Sequence, residues 1–136
     1  MPRFSAQFAL VASVLSGCIA VPMPADVPLT GTHVGTVVDA DSGTPVQGAV
    51  VRFQAHPNAA AVSNAEGVFR LEPVLLHSSW SGVMLLGPTE SVCIDTVTIE
   101  APGYQTTVVN KSVIKPGRGN CSGVNFEYRV SLRRAT

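Results

Sequence analysis

The chain has 136 residues, 46% of them hydrophobic and only 13% charged, which suffices for one packed domain and excludes both two ordinary domains and a disordered polymer. Nine basic residues cancel nine acidic ones, so no basic stripe exists to neutralise phosphates and nucleic-acid binding has no electrostatic support. Part of the apolar excess belongs to the first residues of the chain, so the remaining domain is less greasy than the average.

Residues 1–17 read as a signal peptide rather than as part of the fold. Arg3 supplies the positive n-region, and Phe4 to Val14 form an apolar stretch broken only by Ser5, Gln7 and Ser13. That stretch is shorter than the roughly 20 apolar residues a membrane span needs and suits a signal h-region. Leu15-Ser16-Gly17-Cys18 follows directly and resembles the lipobox of bacterial lipoproteins. Small residues before the cysteine admit the peptidase, and the thiol is the nucleophile that accepts diacylglycerol. The resemblance implies a mature protein beginning at a lipidated, palmitate-bearing Cys18, with several acyl chains making a near-permanent anchor. In that family an Asp after the cysteine retains the protein at the inner membrane. Ile19 stands there, which implies the outer membrane, facing the periplasm. Loss of Arg3 with the leader leaves eight basic against nine acidic residues. Residues 18–30, with Pro22, Pro24 and Pro28, have the composition of an extended, polyproline-type tether.

From Thr32 onward short β-branched runs alternate with Gly, Pro, Asn and Asp, the signature of an all-β sandwich, and no stretch sustains a helical period. The first strand is His33 to Asp39, followed by a turn over Asp39-Ala40-Asp41-Ser42-Gly43-Thr44-Pro45 in which carboxylates cap backbone amides. Val46 to Gln54 makes the second strand, with Ala49, Val51 and Phe53 on one face. The turn Ser63 to Gly67 feeds Val68 to Leu71. Thr96 to Ala101, the turn Pro102-Gly103, Tyr104 to Asn110 and finally Asn125 to Leu132 complete the set. In the last strand Phe126, Tyr128, Val130 and Leu132 alternate with polar residues, the cleanest half-buried pattern in the chain.

Gly35-Thr-Val-Val-Asp39, Gly43-Thr-Pro45-Val-Gln-Gly48-Ala49-Val-Val, Asn64-Ala-Glu-Gly67-Val-Phe69-Arg-Leu71 and Ala101-Pro102-Gly103-Tyr104 occur in that order. Together they resemble the carboxypeptidase regulatory-like domain, a transthyretin-like (prealbumin-like) Greek-key β-sandwich of about seven strands. The resemblance covers residues 31–136 and implies an accessory, binding or folding-support module without catalytic residues. The stretch Pro73 to Pro88 departs from it, being longer and more apolar than a plain connection.

A related fold carries the hydroxyisourate hydrolases, whose C-terminal Tyr-Arg-Gly-Ser is echoed by Tyr128-Arg129-Val130-Ser131. Alignment on Val37-Val38-Asp39 places Thr36 where the catalytic histidine belongs, and His33 falls three positions early, on the opposite face of a strand. A transthyretin-related hydrolase is therefore the remote alternative, and no catalytic residue is assigned. His33, His56 and His77 have no metal-ligand spacing. Tyr104 fits the Pro-Gly-Tyr turn and Tyr128 the last strand, so a tyrosine–histidine iron site of the intradiol dioxygenase kind is not supported. Asp39 and Asp41 are turn residues with too few neighbouring oxygens for calcium. The expectation is no metal and no cofactor.

With Cys18 acylated, Cys93 and Cys121 are the two remaining thiols in an oxidising compartment, and a disulfide between them is expected. It closes a loop of about 28 residues, worth roughly 3.5 kcal/mol by chain entropy.

Leu75 to Leu86 is the least ordinary segment, holding the only Trp and a dense apolar run. Two readings stay open. Either it forms two core strands with Trp80 plugging one end, or it is an apolar loop on the rim, with Trp80, Met84 and Leu85 anchoring a partner. The expected function is a membrane-anchored, non-catalytic binding or scaffold module for another envelope protein, for instance in a secretion complex. The alternative is carbohydrate or peptidoglycan binding, for which aromatics are scarce at 6%.

Overall fold

The computed structural model describes residues 18–21, 25–78, 81–84, 90–116 and 121–136. Those residues form β1 (Cys18–Val21), β2 (Ala25–Pro28), β3 (Thr32–Asp39), β4 (Val50–Phe53), β5 (Ala60–Val62), β6 (Val68–Leu71), β7 (Leu75–Ser78), β8 (Ser81–Met84), β9 (Glu90–Glu100), β10 (Thr107–Pro116) and β11 (Asn125–Leu132), with no helix among them. The fold is all-β, as the short β-branched runs require.

Two principal sheets carry the domain. One has the order β10-β9-β4-β5 and is antiparallel throughout; the other has the order β11-β3-β6, with β11 parallel to β3 and β6 antiparallel to it. Val51, Phe53, Val97 and Ile99 from the first sheet and Val37, Phe69, Leu71, Val130 and Leu132 from the second form one buried cluster, so the sheets face each other as in a sandwich. Strand alternation explains the choice of residues, because every second side chain turns inward.

The turns act as the sequence requires. Asp39 Oδ1 accepts from the amides of Asp41 and Ser42 at 2.9 and 3.1 Å, and Gly43 takes φ 71°. Asn64 Oδ1 accepts from the amides of Glu66 and Val68. Gly67 follows at φ 74°, and a Cβ there would strike the Val37 carbonyl, so only glycine fits. Ser63 is buried; its hydroxyl donates to the Val46 carbonyl at 2.7 Å and accepts from the Ala49 amide at 2.9 Å.

Several boundaries differ from those expected. The second strand is shorter, Val50–Phe53, because Pro45 makes only an isolated bridge to Val38 and Val46 to Ala49 run through a turn with Gly48 at φ 80°. The short β5 is an addition, forming the first sheet's edge beside β4. β9 begins at Glu90 rather than Thr96 and β10 runs Thr107–Pro116 rather than Tyr104 to Asn110, the two forming a long antiparallel pair.

Two-stranded ribbons complete the description: β1 pairs with β8, and β2 with β7. Beyond β2, the Leu29 amide donates to the Val74 carbonyl at 2.7 Å, and the Val74 amide donates to Thr30 Oγ1 at 2.8 Å. The end of the expected tether is therefore paired. Pro28 does not prevent this, since it sits at the last position of a strand with an open edge, where a missing donor breaks no ladder. Leu75 and Leu76 are exposed on β7, so this part of the 73–88 stretch does not enter the core.

Candidate functional site

A buried polar cluster is built where β3, β9 and β11 meet. His33, on β3, is fully buried at 0% exposure. Its Nε2 lies 2.7 Å from Asp95 Oδ2 and its Nδ1 2.9 Å from the Tyr128 hydroxyl. The Gly31 amide donates to the same Asp95 oxygen at 2.8 Å. Parallel pairing of β11 with β3 brings Tyr128 beside His33, and Asp95 reaches in from the opposite sheet. Phe53, Phe126 and Tyr128 surround the imidazole, with ring centroids at 5.4, 4.9 and 5.7 Å.

Burial, with the nearby Asp95 carboxylate adding to it, pushes the Tyr128 phenol well above its ordinary pKa. With its proton kept, the Tyr128 hydroxyl pairs with Nδ1 while Asp95 pairs with Nε2, the donor in each contact being set by the imidazole tautomer. The Lys111 ammonium sits 4.7 Å over the Tyr128 ring, in range of a cation–π contact. Both ring nitrogens of His33 are thus engaged, and the imidazole is sealed from solvent. An acid–base catalyst needs a nitrogen within reach of substrate; this ring offers none. Asp95 borders a cavity of about 320 Å³ whose walls include Leu29, Thr30, Phe53, His56 and Ile94.

Cys93 on β9 and Cys121, just before β11, form the expected disulfide, with their Cα atoms 5.0 Å apart. Both are buried and pack against Val124 and Phe126. The bridge ties the long β9–β10 pair to the opposite sheet beside Asp95, and the donor atoms of Cys93, Asp95 and Cys121 lie within 4.8 Å of one another.

A second buried carboxylate, Asp39, ties the chain's end to the first turn. Its Oδ2 accepts from the Tyr104 hydroxyl at 2.8 Å and from Arg134 Nε at 2.9 Å, while Oδ1 holds the turn amides. The Arg134 guanidinium, then the Ser42 amide, the Tyr104 hydroxyl and the Asp41 amide hold this carboxyl well below the usual carboxylate range, against the opposing effect of burial. The sign of the resulting pH dependence is fixed. A carboxyl with a depressed folded pKa stabilises fully above its unfolded value of about 4 and loses that contribution as pH falls below it. Urea midpoints of the wild type should therefore drop between pH 6 and pH 3 more steeply than those of Asp39→Asn. Parallel profiles would show that the contact adds nothing to the acid limb.

The outer face of the first sheet carries an exposed apolar strip near one end of the β9–β10 pair. Ile94 is 69%, Ile114 66% and Val92 57% exposed. Val92 faces Ile114 across the β9–β10 pair, and Ile94 lies two residues along the same face.

Sequence reasoning and structure meet unevenly here. Cys93 and Cys121 are brought together as expected. Cys18 lies on β1 opposite Met84 of β8 in the backbone register. Trp80 and Leu85, expected with Met84 to anchor a partner, lie outside the described residues, as does the signal peptide over 1–17. His77 is exposed with Nδ1 2.8 Å from Asp26 Oδ1, and His56 lines the cavity. The His33–Asp95–Tyr128 cluster was missed, because its members are 62 and 95 positions apart in the chain. The one available signal was a His and an Asp each placed on the inward-facing parity of its strand. Among the described residues no helix is long and apolar enough to cross a membrane. No known family model matches the chain, and no curated protein matches it either.

Proposed function

We propose that this chain is a lipid-anchored envelope lipoprotein whose domain is a non-catalytic binding or scaffold module for another envelope protein, lodged at the outer membrane through Cys18. The domain is read as a transthyretin-type Greek-key sandwich of the carboxypeptidase regulatory-like kind. In its favour, β3, β4, β5, β6, β9, β10 and β11 supply the two sheets, and the chain passes between sheets at each of the connections β3–β4, β5–β6, β6–β9 and β10–β11.

One observation carries the functional reading: the buried polar groups His33, Asp95 and Asp39 are hydrogen-bonded within the domain, while the outer face of β9 and β10 turns Val92, Ile94 and Ile114 to solvent. A domain arranged this way works by contact, since apolar side chains held outward on a rigid sheet are what a partner surface buries. The strip is a proposed contact surface, in addition to the Trp80, Met84 and Leu85 anchors expected from the sequence.

Ile94→Lys/Ile114→Lys keeps both side chains on the solvent face, so its melting temperature should stay within a few degrees of wild type, as surface changes of about 0.5 kcal/mol allow. In cells, crosslinking from position 92 should capture an envelope protein with the wild type and lose at least tenfold of that product with the double variant. Unchanged capture would remove the strip from the interface. Retention of the purified protein on peptidoglycan sacculi, with no protein crosslink, would instead favour the carbohydrate-binding alternative.

A further inference from the structure

Resting on the protein-contact reading above, we propose that β9 receives an extended segment of the partner by antiparallel strand addition at Val92 and Ile94, in line with β4. β9 pairs with β10 over its whole length, from Glu90 to Glu100, but with β4 only from Val97 to Glu100. β4 then leaves the sheet. The Gln54 amide donates to the Thr96 carbonyl at 3.0 Å, and the His56 amide turns back to the Phe53 carbonyl at 3.3 Å. Along an antiparallel strand the backbone groups of successive residues face the two neighbours alternately. Thr96 faces the β4 side, so Ile94 and Val92 turn their amides and carbonyls to that side as well. No described residue pairs with them there. In place of a further strand, that side holds a cavity of about 320 Å³ whose walls include Leu29, Phe53, His56, Ile94 and Thr96.

A row of backbone donors and acceptors is matched by another extended backbone, the recognition mode of strand addition. The sheet's other long edge, on β10, is guarded. Lys111 and Lys115 lie along it and Pro116 closes it, the devices that keep an edge from pairing. The β9 edge carries neither lysine nor proline between Val92 and Asp95, and its register with β10 runs through that stretch without a bulge. Its outward side chains, Val92 and Ile94, are exposed. An added strand therefore lays its own outward side chains beside them and widens the apolar strip they form with Ile114. Its inward side chains enter the cavity beside Phe53 and Leu29. Together these surfaces define the partner as a proline-free polypeptide segment with β-branched or apolar residues at alternate positions.

The test uses the mature protein in its own membrane, with a photo-crosslinking residue at position 92 or 94 and the crosslinked partner peptides sequenced by mass spectrometry. Both positions should capture one partner segment, with the residue caught from 92 lying two places after the residue caught from 94, as antiparallel pairing requires. Ile94→Pro keeps an apolar side chain but removes the amide hydrogen that faces the added strand, and should lower capture from position 92 at least tenfold. Ile94→Val, which keeps that hydrogen, should hold capture within twofold of wild type. Captured residues in the parallel order, residues from separate segments, or a product undiminished by Ile94→Pro would overturn strand addition and leave the protein-contact reading standing. No product from either position would remove both. Should Ile94→Pro fail to fold, the order and spacing of the residues captured by the chain without that substitution decide.

Discussion

Asp95→Ala is expected to destabilise the domain by about 3–5 kcal/mol, a large share of the roughly 5–15 kcal/mol a domain this size has. The substitution leaves His33 Nε2 and the Gly31 amide without their common acceptor, in an interior where water does not replace it. Each such buried donor left unmade costs about 1–3 kcal/mol, and truncation to Ala opens a void besides. His33→Phe should be similarly harmful, since it strands the carboxylate. The informative variant is His33→Phe/Asp95→Leu. Removing both polar partners and restoring apolar volume is expected to be less destabilising than the sum of the two single changes by 2 kcal/mol or more, because the penalty lies in the unpaired remainder rather than in the pair. Urea denaturation of the wild type, His33→Phe, Asp95→Leu and the double variant closes the cycle. Additive losses would mean that the His33–Asp95 contact is incidental to the fold.

Cys93→Ser/Cys121→Ser should lower stability by about 3–4 kcal/mol, or roughly 12–25 °C in melting temperature for a domain of this length. The bridge closes a 28-residue loop that contains all of β10, and it joins β9 to the start of β11 in the opposite sheet. Without it the unfolded chain regains loop entropy, and the small cluster of Val124 and Phe126 loses its cystine neighbour. The same loss should follow phosphine reduction of the wild type, measured by differential scanning calorimetry with and without the reductant. A shift under 3 °C would show that the strands hold this end unaided.

The fold is legible where inward positions are apolar and outward ones polar. β6 and β11 end where the sequence pattern ends, and β3 begins one residue early. The Asp39 and Asn64 turns are equally readable, because short polar side chains followed by glycine have one backbone use. The pattern fails along Val92-Cys93-Ile94-Asp95. There the outward residues are Val and Ile and an inward one is Asp, so the hydrophobic code is inverted and β9 is read as starting too late. That inversion is also the site: Asp95 tolerates burial because His33 and the Gly31 amide hold its carboxyl group, while Ile94 stands exposed on the outer face. Neither fact is visible without the partner strand. β5 was missed because three small residues, Ala60–Val62, carry too weak a pattern to mark a strand. The disulfide was readable from the thiol count together with the expected oxidising compartment. The pairing of β2 with β7 was not, since proline-rich composition signals extension but not what an extended segment lies against.

The most direct test of a lipid-anchored contact module is the modification state of Cys18. Cells grown with alkyne-tagged palmitate should yield a labelled mature chain in the outer-membrane fraction, and Cys18→Ser should carry no label and leave that fraction. A Cys18→Ser chain that still takes up the label, or a wild-type mature protein recovered without lipid, would contradict the reading.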